Sequence, residues 1–422
     1  MLLRSLTIVD PSGPHNGHTL DLRIIDGVIT EIGTDLTAGR GEEVWSHEGA
    51  CASPGFVDIG AYLGDPGHEE REDVASLRAA ALAGGYTAVG VLPDADPVRQ
   101  SVADVAYLLR QNGDHPTDLL PLGALSKDLA GKDLTEMLSL ARAGVILFTD
   151  GPRRVVSGSL LKRGLEYART VDAGLLVTPF DDALAPDGQM HEGEVSTRLG
   201  LRGLPDLTET IPLGAALDVV EYTGGLLVVH LLSSAAGVAA VRRAKRERGL
   251  EVLATVSAHH LQFTDEELAG FDPNFKVIPP LRGEDDRRAL VAGLQDGTID
   301  AVVSHHTARH GEEKDLEFFY ADFGALGLAT AFRQALATVS GAFTLADLVR
   351  KFTDAPRLLL GSPPLQIRAG APANITLFTT EGSSVVTAAG LGSKTRNSPL
   401  LGRELPGAIL GVVNHGQFRR VG

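Results

Sequence analysis

The sequence has one cysteine, Cys51, so no disulfide can form within the chain, and such sparing use fits a reducing compartment. It has no apolar run near the roughly 20 residues that a membrane span requires. The opening stretch, MLLRSLTIVDPSG, is too soon interrupted for a signal peptide and reads as a strand ending in a turn. These absences point to the cytoplasm and exclude a membrane partner. Positive charge is also scarce: 38 Lys and Arg stand against 54 Asp and Glu, a net charge of −16. That field repels a polyphosphate, which excludes nucleic acid as a partner. There is no low-complexity tract, and no repeat beyond the alternation described next.

What is present is an ordinary globular composition, 43% hydrophobic, in a chain of 422 residues, enough for one large barrel and a smaller appendage. Short apolar, β-branched runs recur at 55–63, 86–93, 119–125, 144–150, 174–180, 225–233, 251–260 and 300–306. Amphipathic stretches such as 72–85, 158–174 and 235–249 separate them; in the second, Leu161, Leu165 and Ala168 share one helical face. Eight strands alternating with helices predict an α/β fold, a (β/α)8 TIM-like barrel, over residues 54–362. The ends lack that alternation and carry short strands with Gly/Pro turns. Residues 1–53 and 363–422 are each too small for a core and predict one composite β-sandwich domain built from both termini.

In such a barrel, chemistry sits where strands end and loops begin. The first strand ends in PGFVDIGAYLGDPG (54–67). Residues two apart on a strand point the same way, so a histidine pair at 60 and 62 could hold one ion. The chain has Gly60, with no side chain, and Tyr62, whose phenol of pKa about 10 is a poor ligand at neutral pH. The simplest reading is that Tyr62 fills the space of a metal centre.

The motifs that carry a family likeness are PGFVDI…L…PG (54–67), EDVASLRAAALAGGYTAV (72–89), LPDADP (92–97) and MHEGEVSTRLGLRGLP (190–205). Others are HHLQFTDEELAGFDPNFKVIPPLRGEDDRRAL (259–290), DGTIDAVVSHH (296–306), EEK (312–314) and SKTRNSPLLGRELPG (393–407). In these the chain resembles a dihydroorotase of the long bacterial type, in the amidohydrolase superfamily. The resemblance implies a metal-dependent barrel with a composite sandwich that closes carbamoyl-aspartate to dihydroorotate in pyrimidine synthesis. Laid on the family's pattern, the first-strand His-x-His falls on Gly60 and Tyr62. The substrate-carboxylate arginine falls on Gly64, and the substrate asparagine on Asp94, which would repel a dicarboxylate. The paired acids after the fourth strand reduce to Asp150, and the fifth-strand histidine meets Thr178–Pro179. The sixth-strand histidine survives as His230. At the eighth strand the catalytic aspartate is replaced by His305, and the substrate histidine by Arg309, beside His310.

A two-metal hydrolase needs four to six N/O donors to hold its ions and acidify a water, and a carboxylate to carry the proton. With only His230 and Asp150 left of the family's ligands, the expectation is no metal cofactor and no catalytic residue. Loss of the arginine also removes the strong charge-assisted grip on substrate. Histidines could rebuild a mononuclear zinc site, with His230, Asp150 and His305 as the donors. Against that, His259 and His260 read as backbone-bonded, His306 as a shared family position and His310 as a loop residue. Asp58 reads as capping a buried turn, Lys314 as paired with Glu312 or Glu313 in solvent, and Arg282 as anchoring its loop to an acid.

The resemblance therefore implies a non-catalytic dihydroorotase-like chain, a structural or regulatory partner of aspartate carbamoyltransferase. The alternative is an active dihydroorotase or related cyclic amidohydrolase with a rearranged zinc site. Either reading leaves room for a homo-oligomer.

Overall fold

A computed structural model describes residues 1–152, 157–339 and 343–421. Eight parallel strands form the barrel: β1 (Phe56–Ala61), β2 (Tyr86–Val91), β3 (Asp118–Pro121, continued by Gly123–Ala124) and β4 (Leu147–Thr149). They continue as β5 (Gly174–Val177), β6 (Leu226–Val229), β7 (Val252–Ser257) and β8 (Ala301–Val303). Each pairs in parallel with its sequence neighbour from β1 through β8.

Strands covered on both faces need apolar residues at every position, and the period of two then sorts them into two layers. Val57, Ile59, Leu147, Leu176, Val228, Ala301 and Val303 gather with Leu359 and Leu360 inside the barrel. The intervening Phe56, Phe148, Leu175, Leu227 and Val302 pack outward with helix residues such as Leu77, Leu161 and Leu217. The helix Gly158–Arg169 buries Leu161, Leu165 and Ala168 on one face, as its spacing predicts.

The barrel closes between β8 and β1 through a carboxylate rather than a regular ladder. Asp58, fully buried on β1, accepts from the Ser304 amide at 2.7 Å and from its hydroxyl at 2.6 Å. Further along the same seam, the Tyr62 amide donates to the His306 carbonyl at 2.9 Å. Burial raises the Asp58 carboxyl to about 6, against the lowering effect of the Ser304 bonds.

Both ends of the chain enter one eight-stranded sheet. Its order is Gln417–Arg420, Glu404–Asn414, Ile375–Val385, Ala50–Pro54, Leu2–Ile8, Thr19–Ile25 and Val28–Gly33, with Val44–Ser46 also beside Leu2–Ile8. The two ends meet where Ile375–Thr379 runs antiparallel to Ala50–Pro54. Leu3, Ile8, Leu22, Ile29, Ile375 and Val413 share the resulting sandwich core, which neither end could form alone. No helix among the described residues is long and apolar enough to cross a membrane.

Candidate functional site

The barrel strands bring the predicted site residues to one end, but most of them are committed elsewhere. The ladder between β1 and β2 slips at Gly60, with Ile59 opposite Gly90 and Ala61 opposite Val91. Gly60 takes φ +90°, a conformation that favours glycine, and lies against the imidazole of His230. A Cβ at position 60 would stand 2.6 Å from His230 Nε2 and 2.9 Å from Cε1. The His230 ring is held there by a 2.9 Å hydrogen bond between Nδ1 and the Thr255 hydroxyl, on β7. Thus the group that abuts Gly60 is His230, not Tyr62. Tyr62 is buried in an apolar cluster with Phe263, Phe275 and Leu326, and its hydroxyl accepts from Arg71 at 3.3 Å.

The substrate-arginine position is closed in the same way. A Cβ on Gly64 would fall 2.1 Å from the His68 carbonyl oxygen, because the loop after β1 folds tightly onto Gly64 through backbone bonds to His68 and Glu72. Asp94, half-buried after β2, adds negative charge beside the buried Arg99. Asp150, just past β4, has both carboxylate oxygens on Ser126, accepting from its amide at 2.8 Å and its hydroxyl at 2.6 Å. Thr178 is buried at the end of β5, and Pro179 follows it. Arg309 donates from Nε to the Phe323 carbonyl at 2.9 Å, with Nη1 at 3.8 Å from Glu313 and 3.7 Å from Asp322. Its guanidinium thus serves its own loop.

Four imidazoles do cluster at the ends of β6, β7 and β8. The His305 ring lies 6.1 Å from that of His260 and 6.5 Å from that of His259. Burial drives their basicity down: His230 and His260 to about 3, with the charge of His305 adding to each, and His305 to about 4. His259 is likewise pushed well below the ordinary histidine range, by burial first. They are neutral at pH 7. His260 Nε2 stands 3.1 Å from both the Pro279 and Pro280 carbonyls, the backbone role expected of it. Beside its backbone hydrogen bond at Leu326, His259 has a side-chain partner: Nδ1 meets the Gln334 side-chain amide at 3.2 Å, because the helix Ala331–Val339 packs over Ala258–Gln262. His306 pairs with Glu72 at 2.9 Å, and His310 accepts the Glu312 amide in capping the short helix after it.

Two further expectations meet different outcomes. Arg282 anchors its loop as predicted, donating to Asp206 at 2.6 Å and to the Ser233 hydroxyl at 2.8 Å. Lys314 does not pair with Glu312 or Glu313 in solvent. It is buried, with Nζ donating to the carbonyls of Pro273, Asp322 and Gly324. Its place in a polar EEK run suggested exposure, but the loop folds back over it. The sequence reading also missed Thr255, Arg71 and Glu72, which hold His230, Tyr62 and His306. Their partners are distant in sequence or carry no motif.

A parallel barrel with a sheet shared by both ends, and its histidines at the strand ends, is the architecture of the amidohydrolases. Among solved structures it is similar to the L-hydantoinase (dihydropyrimidinase) of Arthrobacter aurescens, with a TM-score of 0.85 at 20% identity over 100% of this chain and 96% of that one. The D-hydantoinase (dihydropyrimidinase) of Thermus sp. aligns with a TM-score of 0.80 at 17% identity, over 100% and 96% of the two chains. Within that class, residues 49–235 match the family model described as Dihydro-orotase-like. The chain is 36% identical to a dihydroorotase of Pelobacter propionicus over 100% of both chains. It is 39% identical to one of Anaeromyxobacter dehalogenans (strain 2CP-C), over 97% of this chain and 95% of that one. The chain belongs to the dihydroorotase family.

The metal that this membership implies does not fit the residues present. Gly60 supplies no donor and has no room for one, the Asp150 oxygens are engaged with Ser126, and Thr178–Pro179 offers no ordinary ligand. Among the described residues, no three His, Cys, Asp or Glu side chains gather as a metal-binding group. A zinc site ordinarily takes at least three protein ligands.

Proposed function

We propose that this chain is a non-catalytic, dihydroorotase-like subunit of cytoplasmic pyrimidine biosynthesis that acts by binding aspartate carbamoyltransferase. The observation that carries the loss of catalysis is the His230 imidazole seated where a side chain at position 60 would begin. Closure of the Gly64 position supports it independently, since a substrate carboxylate then lacks its cation. The partner follows from the resemblance to dihydroorotase-like chains that assemble with that enzyme. A barrel that retains its core, its seam and its composite sheet is suited to that task without a reaction of its own.

A second reading draws on the relatives, which carry the name dihydroorotase. In it the chain is an active cyclic amidohydrolase with a mononuclear zinc site rebuilt from His230, Asp150 and His305. One experiment separates the two. The chain is purified from zinc-supplemented culture, alone and with aspartate carbamoyltransferase from the same organism. Elemental analysis and the interconversion of carbamoyl-aspartate and dihydroorotate are then measured. The first reading expects less than 0.1 zinc per chain, no turnover by the chain alone, and co-elution with the carbamoyltransferase. One zinc per chain with turnover lost in His305→Ala establishes the second.

A further inference from the structure

Segment 311–324, GEEKDLEFFYADFG, lies outside the strand-end site and has an unusual make-up: five carboxylates, four aromatic rings and one lysine. That lysine, Lys314, faces inward, its Nζ donating to the carbonyls of Pro273 at 2.6 Å, Asp322 at 2.7 Å and Gly324 at 3.0 Å. A second buried lysine, Lys276, donates to the carbonyls of Phe318 at 2.7 Å, Phe319 at 3.1 Å and Ala321 at 2.6 Å. Two buried ammonium groups thus pin the backbone from 318 to 324. Burying an ammonium costs several kcal/mol unless its hydrogen bonds are met, so this is a demanding way to shape a surface loop.

The shaped loop turns apolar side chains to water. Tyr320 is 68% exposed, and Leu316 and Phe319 are each 47% exposed. Phe271, 45% exposed, meets the Phe318 ring edge-on at 6.1 Å and extends the patch. Basic groups stand on one flank, where Arg71 pairs with Glu313 at 2.6 Å, Arg309 lies near Glu313 and Asp322, and Lys394 and Arg396 line a cavity with Asp315. Glu312 and Glu317 have no ion-pair partner among the described residues.

We propose that Phe271 and residues 316–320 form a docking surface for a protein partner that presents an apolar pocket bordered by lysine or arginine. Rigid aromatic side chains on a fixed backbone are the cheapest anchors to immobilise, and they dominate interface energetics. The uncompensated carboxylates select a basic border and repel a second copy of the same patch. The surface rests on the reading of this chain as a binding subunit.

The test uses the full chain and aspartate carbamoyltransferase from the same organism as the probe, with affinity measured at 50 and 300 mM salt. Phe319→Ser/Tyr320→Ser is compared with Leu207→Ser/Ile211→Ser, a control on an exposed helix face elsewhere. Expected are tight binding by the native chain, at least 100-fold loss in the loop variant at an unchanged melting temperature, and less than 2-fold change in the control. Glu317→Lys should cost about 10-fold at low salt and less at high salt. Native-level binding by the loop variant overturns the docking surface and leaves the partner reading standing. No binding by the native chain defeats that reading, and the surface with it. A native homodimer abolished by the loop variant makes a second copy the occupant and overturns the proposal.

Discussion

Adding one methyl group, Gly60→Ala, tests whether His230 has closed the first-strand site. Two costs arise. The backbone at φ +90° is unfavourable for any residue with a Cβ, by about 1–2 kcal/mol. The new Cβ also meets His230 Nε2 at 2.6 Å, well inside ordinary contact, so the imidazole must shift. Shifting it breaks the 2.9 Å bond to Thr255, worth about 1 kcal/mol, and strains a packed interior by about 1–2 more. The single change should therefore cost about 3–5 kcal/mol. In a His230→Ala background the steric part vanishes and only the backbone cost remains. A double-mutant cycle read from urea unfolding of the four proteins should give a coupling of about 2 kcal/mol. If the two changes add within about 0.5 kcal/mol, the ring does not occupy that space and the reasoning fails. Gly60→His should be destabilised at least as much as Gly60→Ala and should retain no zinc on gel filtration.

Gly64→Ala should be more damaging than an ordinary surface change, because its Cβ would meet a backbone carbonyl at 2.1 Å rather than a movable side chain; a drop in melting temperature of several degrees is expected by calorimetry. Asp58→Ala leaves the Ser304 amide and hydroxyl unpaired in the barrel seam and should cost about 2–4 kcal/mol in chemical denaturation, with Asp58→Asn intermediate. Stability should also fall in mild acid. His230 and His260, lowered to about 3, and His305, lowered to about 4, stay neutral in the fold while the unfolded chain takes up protons below 6.5. Their contribution is full above about pH 7 and is lost as pH falls towards 4, at about 2 kcal/mol each by pH 5. Asp58, raised to about 6, works the other way and returns about 1 kcal/mol over the same interval. The net expectation is a loss of about 5 kcal/mol between pH 7 and pH 5, measured as urea midpoints; unchanged midpoints refute the neutral-imidazole assignment.

Much of the fold was legible because its signals are local. Eight apolar runs spaced by amphipathic stretches predict the alternation found in β1–β8, and the period-two sorting of Val57 and Ile59 from Phe56 is written in the strand itself. The departures at Gly60, Gly64, Thr178–Pro179 and His305 are likewise visible residue by residue. Less legible were the contacts that decide what those departures do. Lys314 looks like a solvated lysine between acids, yet folding buries it against carbonyls up to 41 residues away. His259 and His260 are adjacent, yet one meets a glutamine side chain and the other two proline carbonyls. The strand period brings Tyr62 to the mouth; that His230 abuts Gly60 follows only from the slip in register at Gly60 and the Thr255 bond.

By itself, then, the sequence determined the barrel, the sharing of one sheet by both ends, and the identity of the donors that are missing. These depend on which residue stands at which position and on short-range periodicity. Only the tertiary structure decided that the vacated positions at Gly60 and Gly64 are closed, that Asp58 seals the barrel, and that two lysines are spent on fixing an aromatic loop. Those outcomes rest on approaches of a few ångströms between residues as much as 246 positions apart, set by how the elements pack.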